Sequence, residues 1–227
     1  MKWLIVNGDD FGITSGINRG ILEAHRNGIL TSTSLLVDRP AREEAAALAR
    51  EHATLSVGLH LELDPNEPER ATAEVERQFG RFVELVGAAP THVDSHHDVH
   101  YDARLLPRLL AWAASVGVPL RGHSIAHHFR KFYGQWGGET HLEQIDVEGF
   151  LRLVDAEVGT GVTELSCHPG YVEPGFPSSY AAEREVELRT LCDQRVRHAL
   201  DERGIRLVGF RDLSAIGTRI AAAEDAR

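Results

Sequence analysis

Thr91-His92-Val93-Asp94-Ser95-His96-His97-Asp98-Val99-His100 places four histidines and two aspartates in ten residues. Residues two apart in a strand face the same way, so a strand over Thr91–Ser95 puts His92, Asp94 and His96 on one face and apolar Val93 on the other. His97 then points away or begins a loop. A strand whose polar face ends in imidazoles and carboxylates fits the upper layer of a barrel interior. In a parallel barrel the C-terminal strand ends converge on one rim, and catalytic groups sit there.

The rest of the chain repeats this placement. Trp3 to Asn7 reads as a first strand, and Gly8-Asp9-Asp10-Phe11-Gly12 follows it as a turn. A helix is expected from Ser15 to Arg26, with Ile17, Ile21 and Leu22 on one face and Asn27-Gly28 as its stop. Thr31 to Val37 is a second strand, Ala41 to Glu51 a helix, and Leu55 to Leu63 a third strand. In that strand His60 and Glu62 alternate with Leu59, Leu61 and Leu63. Glu69 to Val86 is a helix whose stripe of Val75, Phe79, Phe82, Val83 and Val86 reads as core. The fourth strand is Thr91–Ser95. A helix over Ala103–Val116 tolerates Pro107 in its first turn. Val118–Arg121 is a short fifth strand, and Gly122–Gln144 reads as one long irregular loop. Val147–Val158 is a helix, Thr163–Cys167 a sixth strand, Tyr180–Arg203 mostly helix and Leu207–Phe210 a seventh strand. Asp10, His60, His96 and His168 all follow or end strand-like runs. The expected fold is therefore one α/β domain over residues 1–227, a distorted (β/α) barrel of about seven parallel strands, with the last ten or so residues frayed.

Bulk properties bound the function. A chain of 227 residues, 42% apolar and 26% charged, is an ordinary globular domain. Its formal net charge of -10 argues against nucleic acid. The apolar run at the N-terminus is too short for a signal segment or a membrane span, which gives cytoplasmic as the expected location. Cys167 and Cys192 have no metal-ligand spacing and read as free thiols.

Histidine with carboxylate support is the commonest protein metal chemistry. A His2Asp set leaves positions open for water and substrate. A cation there lowers the pKa of its water and polarises a substrate oxygen, and neighbouring groups then move protons. Asp9 and Asp10, adjacent at a strand end, point differently and so take different jobs; a turn-forming pair is the alternative. His168, before Pro169, is placed to give a proton to a leaving group, or is simply a turn residue. Phe129, Tyr133 and Trp136 in the long loop are candidates for stacking on sugar rings or for loop packing. They are equally a candidate contact in a homodimer, the common oligomer.

Six segments, in order along nearly the whole chain, resemble the YdjC-like carbohydrate (chito-oligosaccharide) deacetylases. They are Val6-Asn7-Gly8-Asp9-Asp10-Phe11-Gly12, Asn27-Gly28-Ile29-Leu30-Thr31-Ser32-Thr33-Ser34, Gly58-Leu59-His60-Leu61, His92-Val93-Asp94-Ser95-His96-His97, Cys167-His168-Pro169 and Arg203-Gly204-Ile205-Arg206-Leu207-Val208-Gly209-Phe210-Arg211-Asp212. The resemblance implies a TIM-barrel-like, polysaccharide-deacetylase-like fold that removes acetyl from an N-acetylated sugar with one divalent metal. Carried over by position, Asp10, His60 and His96 hold the metal, Asp9 is the general base, and His168 is the general acid or an electrostatic helper. The resemblance points to Mg2+, whereas two imidazoles and a carboxylate suit Zn2+, Co2+ or Ni2+ by softness. A third histidine common after the Asp-Ser pair is Asp98 here, and the Leu63–Phe79 segment is shorter than in the chitobiose-acting members; both departures bear on the substrate. The rival readings are another barrel metallohydrolase of phosphoesterase type, holding two metals, and a non-catalytic sugar- or metal-binding protein.

Overall fold

The computed structural model describes residues 1–176 and 178–225. Its nine strands are β1 (Lys2–Phe11), β2 (Ser32–Leu35), β3 (Ser56–Leu61), β4 (Val93–Ser95), β5 (Ala126–Phe129), β6 (Gln135–Trp136), β7 (Glu139–Thr140), β8 (Gly161–Cys167) and β9 (Ile205–Leu207). Eight helices lie between and after them: α1 (Ser15–Asn27), α2 (Arg42–Glu51), α3 (Ala71–Val86), α4 (Leu106–Val116), α5 (Val147–Glu157), α6 (Ala182–Cys192), α7 (Gln194–Glu202) and α8 (Leu213–Asp225). Seven strands form one parallel sheet in the order β4-β3-β2-β1-β8-β5, with β9 also paired to β1. The sheet curls into a partial barrel wrapped by the crossover helices. None of the helices among the described residues is long and apolar enough to cross a membrane.

Alternation along β1 builds both faces. Leu4 and Val6 join the large outer core with Ile17 and Ile21 of α1 and Leu59 and Leu165 of neighbouring strands. Trp3 and Ile5 instead cluster with Ala126, Val162, Phe210, Leu213 and Ile216, so the start of α8 plugs one end of the barrel with apolar side chains. Asn7 and Asp9 continue that inner face toward the C-terminal ends, where it turns polar. Gly58 leaves room for the His92 ring, which an added Cβ would meet at 2.4 Å. His92 stacks on Phe210 at 3.7 Å and closes the apolar layer.

The structure departs from the sequence reading in six places, the first being the seventh strand, which runs over Ile205–Leu207 while Phe210 opens a 3-10 turn. Gly8–Phe11 is not a turn but the end of β1, with a register shift against β2 between Gly8 and Phe11. Val118–Arg121 contributes only a single bridge, Val93 to Leu120. The stretch 122–144 is not a plain loop, because β5 adds to the main sheet beside β8 and β6–β7 form a hairpin. In α3 the inward residues are Val75, Gln78, Phe82 and Leu85, while Val83 is exposed. Most of the tail expected to fray is helical in α8, and residues 226 and 227 lie outside the described residues. Pro107 does sit in the first turn of α4, and Cys167 and Cys192 are free thiols.

Candidate metal centre and cavity

The bulge at the end of β1 decides where its two aspartates go. Asp10 has φ 72, a left-handed conformation uncommon for any residue but glycine. This swings its carboxylate to the barrel mouth instead of the outer core. Asp9 keeps the inner-face direction and points down the barrel. After β4, His97 and Asp98 both have positive φ, 56 and 55, so the chain turns sharply and His96 swings back over the mouth.

Asp10, His60 and His96 thereby converge, with ligand atoms within 4.8 Å of one another. Asp10 Oδ1 lies 3.7 Å from His60 Nε2 and 3.2 Å from His96 Nδ1. It is buried and has no aligned hydrogen-bond donor. Its partner oxygen Oδ2 accepts from Arg184 Nη2 of α6. His60 is oriented from behind, with Nδ1 2.7 Å from Asp94 Oδ1, which leaves Nε2 facing Asp10. An unsatisfied carboxylate oxygen beside two imidazole nitrogens is a donor set that fits a divalent cation.

Asp9 meets a different partner. Arg121, fully buried, donates from Nη1 to Asp9 Oδ2 at 2.8 Å and from Nη2 to Asp9 Oδ1 at 2.7 Å. The same guanidinium lies 2.7 Å from Asp94 Oδ2 and donates from Nε to Glu164 Oε1 at 2.6 Å. Asp9, His60 and Asp94 form a second group close enough to hold a cation, but Arg121 already brings positive charge to both its carboxylates.

His168 follows β8 and faces the same opening. Gly20 of α1 packs so closely on this loop that an added Cβ would meet Gly170 Cα at 2.5 Å. The backbone N–H of His168 donates to Glu187 of α6, whose other oxygen accepts from Tyr180 Oη. Asp9, Asp10, His60, His96 and His168 all line one cavity of about 700 Å³, with Arg39, Arg130, Tyr133, Ser166 and Arg184 among its other walls. Of the three aromatics singled out in the sequence, only Tyr133 reaches this cavity; Phe129 is core in β5, and Trp136 is exposed on β6, stacked on His141.

Arg121 and Arg184 are the functional residues the sequence reading missed. Arg121 ends a short run with no pattern to single it out. Arg184 sits on a helix whose inward face carries Glu183, Arg184 and Glu187 beside Leu188 and Leu191. That lack of an apolar stripe was the available signal.

Electrostatics follow from burial and these pairs. Burial is the largest influence on the Asp9 and Asp10 carboxyls and works to raise them. The charge and hydrogen bonds of Arg121 with the His60 charge at Asp9, and Arg184, His96, His168 and His60 together at Asp10, outweigh it, so both stay below the usual range. Burial opposes charge on His60, yet Asp94, Asp9 and Asp10 push it up to about 9. Burial dominates at His168, held down at about 4, at His92 and His100, each about 3, and at His128, about 2. Burial also pushes Glu164 up to about 7 and Glu187 to about 8.

These shifts set the pH dependence of the metal-free fold. The four depressed histidines bind protons in the unfolded chain below about pH 6.5 but not in the folded one, so their stability contribution is lost as pH falls from there. Glu164 and Glu187 act in the opposite sense, and His60 loses its contribution only as pH rises through about 9. With His25 and His97 also lowered and Asp98 also raised, six histidines stand against three carboxyls, so stability should drop by on the order of 1–3 kcal/mol per pH unit between about pH 6 and 4.5. Urea midpoints of metal-free protein at pH 7 and pH 5 check this; an equal or higher midpoint at pH 5 would contradict it.

A parallel barrel with a carboxylate–bis-imidazole cluster and a neighbouring imidazole at its C-terminal rim is the arrangement of a barrel hydrolase. The YdjC-like protein family model matches residues 3–74 and 64–202. A chitooligosaccharide deacetylase of Klebsiella pneumoniae subsp. pneumoniae is 35% identical over 256 residues, 92% of this chain and 98% of its own. Among solved structures, a proposed cellobiose-phosphate cleavage protein of Enterococcus faecalis V583 superposes with a TM-score of 0.81 at 30% identity, covering 93% of this chain and 98% of the other. A peptidoglycan deacetylase of Bacillus subtilis shares the fold, with a TM-score of 0.59 at 14% identity over 98% of this chain and 95% of its own. The chain belongs to the YdjC-like family.

Proposed function

We propose that this protein is a metal-dependent carbohydrate deacetylase that hydrolyses the N-acetyl group of an N-acetylated sugar or oligosaccharide. The observation that carries the reading is the convergence of Asp10, His60 and His96, with Asp10 Oδ1 left without a donor, at the wall of an open cavity. Relatives named for this activity, such as the Klebsiella deacetylase, support it.

In this reading Asp10, His60 and His96 hold one divalent cation, which when bound supplies Lewis acidity toward a water and an acyl oxygen. Asp94 fixes the His60 ring, and Arg184 holds the other Asp10 oxygen so that Oδ1 stays turned inward. Asp9 is the base. Arg121 keeps it ionised and aimed, which makes it a weak base but one ready to accept a proton at neutral pH. His168 is neutral at rest because burial disfavours its charge, so the proton it gives to the departing amine must reach it during turnover. Asp9 and Asp10 both stabilise its charged form. Mg2+ is the ion the family resemblance points to; the nitrogen-rich donor set suits Zn2+ or Co2+.

The two-metal phosphoesterase alternative is disfavoured by one observation. The second group, Asp9–His60–Asp94, shares His60 with the first, and both its carboxylates are paired with Arg121. The deciding experiment incubates metal-stripped protein with each of Mg2+, Zn2+, Co2+ and Ni2+ and a panel of N-acetylated mono- and oligosaccharides and sugar phosphates. Metal-dependent acetate release with about one ion per chain is expected. Phosphate release without acetate, or two ions per chain, would replace this reading.

A further inference from the structure

The cavity wall contains a hydrogen-bond chain with no part in the scheme above. Ser166 lies on the inner face of β8, two residues before His168, and lines the cavity. Its Oγ is 3.0 Å from His128 Nε2 on β5, and His128 Nδ1 is 3.0 Å from Tyr101 Oη. Among the described residues these are the hydrogen bonds recorded for the Ser166 hydroxyl and the Tyr101 hydroxyl.

A Ser–His contact suggests a nucleophile, but this imidazole is a poor base. It is largely buried, and Arg121 opposes any positive charge on it. A neutral ring has one donor and one acceptor nitrogen, so the chain must have a direction. A phenol is a much stronger donor than acceptor, and an unprotonated imidazole nitrogen is a strong acceptor. The favoured direction therefore starts with Tyr101 O–H donating to Nδ1. His128 Nε2–H then donates to Ser166 Oγ. That leaves the serine proton with no acceptor among the described residues and turned toward the cavity.

We infer that Ser166 is a directed hydrogen-bond donor to an acceptor oxygen of the acylated sugar, with His128 and Tyr101 as positioning residues that fix its polarity. The inference rests on the deacetylase reading for the identity of the substrate, and on geometry alone for the direction of the chain. Such a donor acts in a partly dehydrated wall, where removing one preorganised hydroxyl has a larger effect than in water.

Two measurements test it. Long-range 1H–15N NMR of histidine side chains at neutral pH, with His128→Gln identifying the resonance, should show His128 as the neutral Nε2–H tautomer, and Tyr101→Phe should weaken that preference. An Nδ1–H tautomer in the unmodified protein overturns the inference whether or not a substrate is known. On a sugar from which the unmodified protein releases acetate, Ser166→Ala should lower kcat/KM by about 10- to 100-fold. Ser166→Thr, which keeps the hydroxyl, should retain most of it, and the melting temperature of both should match the parent. Ser166→Ala within twofold of the parent overturns the inference. Absence of acetate release by the unmodified protein instead counts against the deacetylase reading, and the tautomer then decides the donor chain by itself.

Discussion

Asp10→Asn lowers metal-dependent acetate release by about 10³-fold or more, and does so without unfolding the protein. The asparagine side chain has nearly the same shape and can still accept from Arg184, so the contact that holds this side chain survives. What it loses is the negative charge at Asp10 Oδ1, a buried oxygen that no donor satisfies. Lewis-acid assistance is worth several kcal/mol in a transition state, and about 1.4 kcal/mol corresponds to a factor of ten, which gives the magnitude. Titration calorimetry should show metal affinity falling in parallel. Asp94→Asn gives a graded contrast: it orients His60 without belonging to the ligand set, and such partners cost 10- to 100-fold. Equal losses for Asp10→Asn and Asp94→Asn would mean that Asp10 is not a ligand, and full activity in Asp10→Asn would remove the centre from Asp10, His60 and His96 altogether.

How much of this site is legible before folding depends on whether a residue obeys a period. His60 sits in a clean alternation, and His92 and Asp94 share a strand face as the two-residue repeat requires. Both strands therefore appear at the right faces. The Asp9–Asp10 pair is visible as chemistry, but its geometry is not. A bulge with an aspartate at positive φ runs against local preference, and only tertiary packing holds it there. β5 was hidden because Ala126-His127-His128-Phe129 is four residues long with two histidines at its centre. It counts as a strand only because β8 pairs with it. Val118–Arg121 shows the converse: β-branched and apolar residues suggested a strand, yet the segment makes one bridge and serves mainly to carry Arg121 into the barrel. Arg184 and Glu187 left only a weak trace, the missing apolar stripe of their helix, for a related reason. Charged residues on a helix read as solvated surface until the barrel mouth supplies their partners.

Arg121→Met is the substitution with the largest expected effect on the fold. Methionine fills much of the arginine volume but leaves Asp9, Asp94 and Glu164 buried together with no cation among them except His60. Removing one partner of a buried ion pair costs about 3–5 kcal/mol, a large share of the 5–15 kcal/mol that typically separates folded from unfolded domains. The pH dependence identifies the cause. Without Arg121 the three carboxyls titrate above their unfolded values, so their folded forms are favoured at low pH and lose ground as pH rises. The deficit relative to the parent should therefore shrink from pH 8 to pH 5, opposite to the acid loss expected of the parent itself. Adding Glu164→Gln to Arg121→Met removes one of the stranded charges and should recover part of the lost stability, measured as urea midpoints of the two variants side by side. A deficit that is the same at pH 8 and pH 5, with no recovery in the double variant, would mean that Arg121 contributes through packing and not through charge. Asp9 would then owe neither its ionised state nor its aim to that guanidinium.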